Sequence, residues 1–134
     1  MARLMGGALL DTSIVIAFDD DGGLDLPSDA AISVITLGEL RAGVVRARNG
    51  RARAARQARL AAVRGGFDPL LVDEGVAEHY GDALAHARSA GRIVKTTDLL
   101  IIATASATGR KLYTLDRAQA ALARELGLVV SGDA

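Results

Sequence analysis

The sequence of 134 residues contains no cysteine and no tryptophan, and it has only two phenylalanines and two tyrosines. Without cysteine the chain can form neither disulfide bonds nor thiolate zinc sites, and it has no thiol nucleophile. Because aromatic side chains are scarce while 50% of the residues are hydrophobic, the core must be built from Ala, Leu, Val and Ile. The lack of cysteine is typical of a protein from a reducing compartment.

Long apolar runs are also missing from the sequence. No stretch approaches the roughly 18 apolar residues that a membrane-spanning helix needs. Arg3 and the apolar residues after it resemble a secretion signal only faintly, because Asp11 interrupts them and no clear cleavage site follows. We therefore expect a single domain over residues 1–134, soluble and cytoplasmic.

The formal net charge is zero, yet acidic and basic residues are segregated along the chain. Residues 1–40 contain seven acidic residues and one basic residue, whereas residues 41–64 contain eight arginines and no acidic residue. A solvated helix face is one explanation, because arginine is a good helix former. Eight unbalanced arginines exceed what solubility alone requires, so a surface that binds phosphate groups is the other explanation.

Short apolar runs alternate along the chain with stretches of helical periodicity. This alternation predicts an α/β domain with a central, mostly parallel sheet that is flanked by helices. Ligands of such sheets bind at the carboxyl ends of the strands. The predicted strands cover residues 8–10, 31–34, 69–72, 111–116 and 128–130, the helices cover 12–18, 36–48, 51–64, 73–90, 96–109 and 117–126, and residues 19–29 form a loop.

Four acidic residues are expected at that edge of the sheet, and each has a simple structural explanation on its own. Asp11 and Asp116 follow strands and could cap the next helices. Glu39 lies three residues after Thr36, which fits a capping box. Asp98 lies in the first turn of a helix, where the helix dipole favours negative charge.

Taken together, the four acids favour a metal site over capping. The helix that begins TTDLLIIATA is apolar on almost every face, and Thr96 and Thr97 are already available as caps, so Asp98 is not needed for that role. Four carboxylates at one edge of a sheet would repel each other and resist ionisation unless positive charge compensates. Because only oxygen ligands are available, the sequence predicts Mg²⁺, with Mn²⁺ as a possible substitute, and not zinc.

The stretches LLDTSIVI, TLGELRAG, TTDLLIIATA and YTLD, in this order, resemble the motifs of the PIN-domain ribonucleases. Within that family the resemblance is to the VapC toxins of bacterial toxin–antitoxin pairs, and it extends from Asp11 to Leu128. It implies a PIN-like three-layer fold and a Mg²⁺-dependent endoribonuclease that cleaves transfer or ribosomal RNA and so inhibits translation. It also implies a cognate antitoxin and a homodimer.

The resemblance assigns roles to individual positions. Asp11, Glu39 and Asp98 match the three acids that hold the metal, and Asp116 matches a more variable fourth acid. Two departures from the family pattern are Thr97, where relatives often have asparagine, and Arg117, where an apolar or aromatic residue is common. Thr12, Ser13 and Thr114 are expected to support the acids, and Thr114 matches a hydroxyl residue of the family.

The arginine-rich segment is predicted to form a helical hairpin that binds RNA, an antitoxin, or both. Because the chain has few aromatic residues for base stacking, recognition of a folded RNA through shape and phosphates fits better than reading of single-stranded bases. The candidates are Arg41, Arg51, Arg56 and Arg59.

The residues leave two other readings open and argue against a third. A PIN-like fold could be a non-catalytic module that binds RNA or protein. A phosphoacceptor receiver domain would need an acidic pair where Asp11 stands alone, and a lysine at the end of a late strand. A haloacid-type phosphatase would need a second aspartate at Ser13. His79 and His86 have no acidic motif around them, so surface or packing roles are expected for both.

Overall fold

The computed structural model describes residues 7–21 and 26–133 of the chain. The predicted loop at residues 19–29 is partly helical, since residues 19–21 extend the first helix, and residues 22–25 lie outside the described residues. Within the described ranges, no helix combines the length and the apolarity needed to cross a bilayer. The elements are β1 (Ala8–Leu10), α1 (Thr12–Asp21), β2 (Ala30–Ala31), α2 (Val34–Val45), α3 (Gly50–Gly66), α4 (Glu74–Ser89), α5 (Thr96–Thr108), β3 (Lys111–Tyr113) and α6 (Arg117–Glu125).

The three strands form a parallel sheet in the order β2-β1-β3, which confirms the predicted α/β class. Leu9 of β1 is paired with Ala31 on one side and Leu112 on the other. Because all three strands run in the same direction, their carboxyl ends meet at one edge of the sheet. Residues that follow β1 and β3 are thereby brought side by side.

Four of the predicted strands are wrong in extent. The strand predicted at residues 31–34 is observed only at Ala30–Ala31, and the strand predicted at 111–116 ends at Tyr113. Residues 69–72 contribute only a bridge between Leu70 and Ser33, and residues 128–130 only a bridge between Val130 and Leu112. In the first case Leu71 and Val72 are exposed, because the chain leaves the sheet at once to enter α4. An apolar run alone does not show how many of its residues find a strand to pair with.

The core consists of two clusters, one on each side of the sheet. Leu9 packs with residues of α4, α5 and α6, whereas Leu10 packs with residues of α1, α2 and α3. Neighbouring residues of a strand point to opposite faces, so β1 is buried on both sides. This arrangement is the three-layer α/β/α fold that the sequence predicts.

Helix α5 is the most deeply buried helix segment, as its sequence indicates. Its buried residues include Leu99, Ile101 and Ile102, and it ends at Gly109, whose φ of 63° is left-handed. Lys95 occupies the N-cap position of α5, but no side chain makes a capping hydrogen bond to the first turn of this helix. The expectation that a threonine caps α5 is therefore wrong, and Asp98 enters the helix in an uncapped first turn.

Helix α2 begins at Val34, two residues before the predicted start, and its cap is Ser33. The hydroxyl of Ser33 accepts a hydrogen bond from the backbone N–H of Ile35 at 3.0 Å. Thr36 is buried inside the helix and contacts the hydroxyl of Thr12 at 3.0 Å. The predicted capping box is therefore wrong, and Glu39 lies in the second turn, free of any capping role.

Substitution of Ser33 by alanine tests the observed start of α2. The change leaves the N–H of Ile35 without its buried acceptor, so we expect the free energy of unfolding to fall by about 1–2 kcal/mol. Urea unfolding followed by circular dichroism measures the loss. Ser28→Ala, at an exposed serine, is the matched control and should change little; equal stability of both variants would contradict the assignment.

Candidate active site

Asp11 leaves β1 at the carboxyl edge of the sheet and is almost fully buried, with 5% of its surface exposed. Its backbone N–H donates to the carbonyl of Tyr113 at 2.8 Å, which ties the end of β1 to the end of β3. A charged carboxylate is retained at such a position only if hydrogen bonds replace the water it loses. The neighbouring side chains supply them.

The two oxygens of Asp11 are used unequally. Oδ2 accepts from the backbone N–H and the hydroxyl of Ser13, at 3.2 and 2.6 Å. The hydroxyl of Thr114 lies 3.1 Å from Oδ2, and its single proton can go either to Oδ2 or to Oε1 of Gln119. Oδ1 accepts one longer bond, from Nε2 of Gln119 at 3.3 Å. Oδ2 is therefore satisfied by the protein, while Oδ1 retains the capacity to bind a further ligand.

Glu39 is held from the opposite side of the site by Thr12. The hydroxyl of Thr12 donates to Oε1 of Glu39 at 2.6 Å and also contacts the hydroxyl of Thr36. Thr12 is the first residue of α1, so this bond joins the turn after β1 to the second turn of α2. Of the three predicted supporting residues, Ser13 and Thr114 thus contact Asp11, and Thr12 contacts Glu39.

Asp98 shows that the four acids lie within electrostatic reach of one another. Its pKa is raised from 3.8 to about 6, first by burial and then by the negative charges of Asp11, Asp116 and Glu39. The positive charge of Lys95 opposes this shift but does not cancel it. The structure therefore brings together the four residues that the sequence singles out.

Asp116 differs from the other three acids because it is exposed and caps α6. Its Oδ1 accepts from the backbone N–H of Gln119 at 3.0 Å, so the capping explanation describes this oxygen. Its charge nevertheless raises the pKa of Asp98. A role for Asp116 in metal binding stays a prediction.

Gln119 belongs to the site and was missed by sequence reasoning. It is 2% exposed, accepts from the hydroxyl of Thr114 at 2.7 Å, and contacts Asp11 and the carbonyl of Asp98 through Nε2. The spacing D-R-A-Q is a capping-box signal that would send this side chain back to the N–H of Asp116. That N–H is instead bonded to Thr114, and the amide of Gln119 turns inward.

The donor set suits a hard divalent cation, since it consists of carboxylate oxygens without sulfur or imidazole. Among residues 7–21 and 26–133, no three acidic, histidine or cysteine side chains already have the spacing of a metal site. The carboxylates repel each other, and Asp11, Glu39 and Asp116 are each bonded to a protein donor. The raised pKa of Asp98 reflects burial first and then the negative charges of Asp11, Asp116 and Glu39, which a cation would neutralise.

Two grooves flank the acids. One, of about 480 Å³, is lined by Glu39 together with Arg56 and Arg59. The other, of about 470 Å³, is lined by Asp98 and Gln119 together with further residues that include Lys95. A larger cavity, of about 620 Å³, has no acidic residue in its lining and lies at the amino ends of β1 and β3, away from this chemistry.

The arginine-rich hairpin packs α2 against α3, and two arginines of α3 tie this helix to its neighbours. Arg56 donates to the carbonyl of Gly43 in α2 at 2.7 Å, whereas Arg59 pairs with Asp19 of α1 at 2.9 Å. Both arginines reach the groove beside Glu39, whereas Arg41 and Arg51 are exposed and line neither groove. Part of the basic surface is therefore continuous with the acids.

The two histidines lie outside the acidic cluster. His79 is exposed and lines the cavity at the amino ends of the strands. The ring of His86 contacts Oε1 of Glu125 at 2.9 Å on the surface. Neither arrangement places an imidazole where it could act on a ligand of the four carboxylates.

Comparison with known proteins identifies the fold family. A family model described as PIN domain matches residues 8–125. The chain belongs to the PIN domain family. Ribonuclease VapC8 of Mycobacterium tuberculosis is 42% identical to this PIN domain protein over 104 residues, which are 75% of this chain and 92% of that protein. Ribonuclease VapC5 of the same species is 35% identical over 125 residues, 91% of this chain and 92% of that protein.

A solved structure agrees with these relatives. The crystal structure of VapBC-5, a member of the VapBC family of toxin-antitoxin systems from Mycobacterium tuberculosis, superposes with a TM-score of 0.78 at 35% identity. The match covers 95% of this chain and 96% of that chain. The resemblance to VapC-type PIN domains is thus confirmed, and the receiver-domain and phosphatase alternatives fall away.

Asp98→Asn tests the burial and the charge repulsion that oppose ionisation of Asp98 in the metal-free protein. Because the pKa of Asp98 rises to about 6 on folding, the folded state binds its proton more tightly, and stability falls as the pH rises from about 4 to about 6. Asparagine removes this loss. In buffer with EDTA above pH 7, we expect the variant to be more stable by roughly 1 kcal/mol, a figure that allows for the solvent around this part-exposed side chain.

Urea unfolding at pH 4 and above pH 7 measures the effect, and the difference should vanish at the lower pH. Asp82→Asn, at an exposed residue of α4, is the control for loss of an acidic side chain. A destabilised Asp98→Asn variant above pH 7 would contradict the proposed repulsion.

Proposed function

We propose that this PIN domain protein is a Mg²⁺-dependent endoribonuclease, the toxin of a toxin–antitoxin pair. It cleaves structured RNA, transfer or ribosomal, inhibits translation in the cytoplasm, and is neutralised by a cognate antitoxin. The observation that carries the proposal is the gathering of Asp11, Glu39, Asp98 and Asp116 at one edge of the sheet, where burial and the charges of the other three acids raise the pKa of Asp98. Identity of 42% to a named ribonuclease supports the choice of RNA as substrate.

Asp11, Glu39, Asp98 and Asp116 would hold Mg²⁺, or Mn²⁺ in its place. When bound, such an ion makes water more acidic and stabilises negative charge on the oxygens of a phosphodiester. The chain itself supplies the orientation. Ser13 and Thr114 fix one oxygen of Asp11, and Thr12 fixes one oxygen of Glu39, so little reorganisation is needed when a ligand arrives.

The path of the RNA follows from the placement of positive charge. Arg56 and Arg59 line the groove beside Glu39, and Lys95 lines the groove beside Asp98. A phosphate backbone that enters between them meets cations on both sides of the acids. Affinity that rests on phosphate contacts falls steeply with salt concentration.

The antitoxin is proposed by similarity to VapBC-5, a member of the VapBC family of toxin-antitoxin systems. The exposed arginines of α2 and α3, among them Arg41 and Arg51, offer a surface for an acidic partner segment. A homodimer is also proposed, since the exposed apolar residues Val45, Leu71 and Ile93 are available for burial between subunits.

Asp11→Asn and Asp98→Asn test the activity itself. Each substitution removes a charged ligand, so we expect Mg²⁺-dependent cleavage of RNA to fall by about 10³-fold or more. Cleavage of transfer and ribosomal RNA by the purified protein, with sequencing of the RNA ends, provides the measurement. The products should carry a 5′-phosphate and a 3′-hydroxyl.

Circular dichroism must show that both variants stay folded, and Asp82→Asn should cleave as the unmodified protein does. Cleavage by Asp11→Asn at the original rate would overturn the assignment of the site. If the unmodified protein neither binds Mg²⁺ or Mn²⁺ nor cleaves RNA, a non-catalytic RNA- or protein-binding module is the better description.

Charge reversal at Arg56 and at Arg51 separates the two uses of the arginine-rich hairpin. Arg56→Glu places a negative charge in the groove beside Glu39, so we expect KM for RNA to rise by about tenfold. The slope of log RNA affinity against log salt concentration should decrease by about 1, which corresponds to the loss of one phosphate contact. Arg51→Glu lies outside that groove and should affect antitoxin binding more than cleavage.

Cleavage and antitoxin binding are scored independently for both variants. Arg88→Glu, at an exposed residue of α4, controls for the change in net charge. Equal loss of cleavage in all three variants would show that the groove has no special role.

A further inference from the structure

The amide of Gln119 is a buried polar group in contact with two of the candidate metal ligands. Its Nε2 lies 3.3 Å from Oδ1 of Asp11 and 3.5 Å from the carbonyl of Asp98, and its Oε1 accepts from the hydroxyl of Thr114 at 2.7 Å. One side chain thus joins the end of β1, the residue after β3 and the first turn of α5. Its own helix, α6, carries the fourth acid.

Burying a polar side chain at this position costs free energy of folding unless hydrogen bonds compensate for the lost water. Gln119 is 2% exposed, and its neighbours on the same helix, Ala120 and Leu122, are buried apolar residues. An apolar side chain of similar size would pack there without any need for partners. A methionine would serve packing alone at this position, whereas the amide of Gln119 contacts Asp11, which points to a task at that carboxylate.

Gln119 orients Oδ1, the oxygen of Asp11 that accepts fewer hydrogen bonds. Rotation about the Cβ–Cγ bond of Asp11 moves both oxygens together, and Ser13 and Thr114 restrain it through Oδ2 alone. The contact from Nε2 restrains the same rotation through Oδ1. Because the contact is long, it orients Oδ1 without consuming its capacity to bind a cation.

The neutrality of the amide is part of the argument. A lysine or arginine at position 119 would also bond to Asp11, but its positive charge would cancel the field that attracts a cation. Glutamine donates a hydrogen bond and leaves the net charge of the acids unchanged. Residues that hydrogen-bond to a metal ligand and orient it, without contacting the metal themselves, have this chemistry.

We propose that Gln119 is a positioning residue that holds the carboxylate of Asp11, together with the first turn of α5, in the geometry that binds a divalent cation. The proposal rests on the proposed metal-dependent activity and adds a residue that the family resemblance does not assign. It concerns orientation of a ligand, and it assigns no contact between Gln119 and the RNA.

The test is Gln119→Met in the full chain, with Mn²⁺ as the probe. Electron paramagnetic resonance of free Mn²⁺ gives the affinity of the metal-free protein, and the ions whose binding is lost in Asp11→Asn define the site. We expect Gln119→Met to bind these ions about 10- to 100-fold more weakly. In cleavage assays the Mg²⁺ requirement should rise, while KM for RNA at saturating Mg²⁺ stays within about twofold.

Ala120→Gly separates orientation from simple stability. The substitution weakens α6 at a buried position next to Gln119 and leaves the hydrogen bonds of the site in place. It should lower the urea midpoint, as Gln119→Met does, without changing the affinity for Mn²⁺. If the two variants lose Mn²⁺ affinity in proportion to stability, Gln119 has only a structural role and the proposal is overturned.

A double-mutant cycle with Thr114→Val adds a second criterion. Thr114 and Gln119 contact the same carboxylate and each other, so their effects on Mn²⁺ affinity should be less than multiplicative. Unchanged Mn²⁺ affinity in Gln119→Met, with a functional unmodified protein, overturns the positioning role and leaves the nuclease proposal intact. An unmodified protein that binds no Mn²⁺ and cleaves no RNA overturns both.

Discussion

The placement of one buried carboxylate at the exit of the central strand governs much of this structure. Asp11 is 5% exposed, and its charge is tolerated because Ser13 donates to it, Thr114 contacts it and its backbone is tied to Tyr113. Those contacts come from α1 and from the residue after β3, so the sheet edge and the first helix must assemble together. A parallel sheet with β1 at its centre is the arrangement that brings these segments together.

Charge repulsion at this edge opposes the stability gained by burial. Burial and the other acids raise the pKa of Asp98 to about 6, so near neutral pH the folded protein holds a carboxylate in an unfavourable environment. Strain of this kind is common at functional sites, where binding of a ligand relieves it. The two cores on either side of the sheet supply the stability that tolerates it.

The sequence predicted the elements that depend on periodicity and missed those that depend on pairing. Asp11 and Asp98 could be placed because each follows or begins an apolar segment whose type is clear. The start of α2 was misplaced because Ser33 and Thr36 are both good caps, and only the burial of Thr36 against Thr12 decides between them. Gln119 could not be found, since the direction of its side chain depends on Thr114 having already bonded to the N–H of Asp116.

Helix α5 belongs to the core and the site at once, because its first turn carries Asp98 and the following turns are buried apolar residues. A change of volume at Ile101 or Ile102 would shift the helix and with it the carboxylate. The buried residues of α5 therefore cannot change in volume without also changing the position of Asp98. Substitutions that reduce activity without touching the acids should be sought there, and compensating changes should arise in the helices that pack around α5.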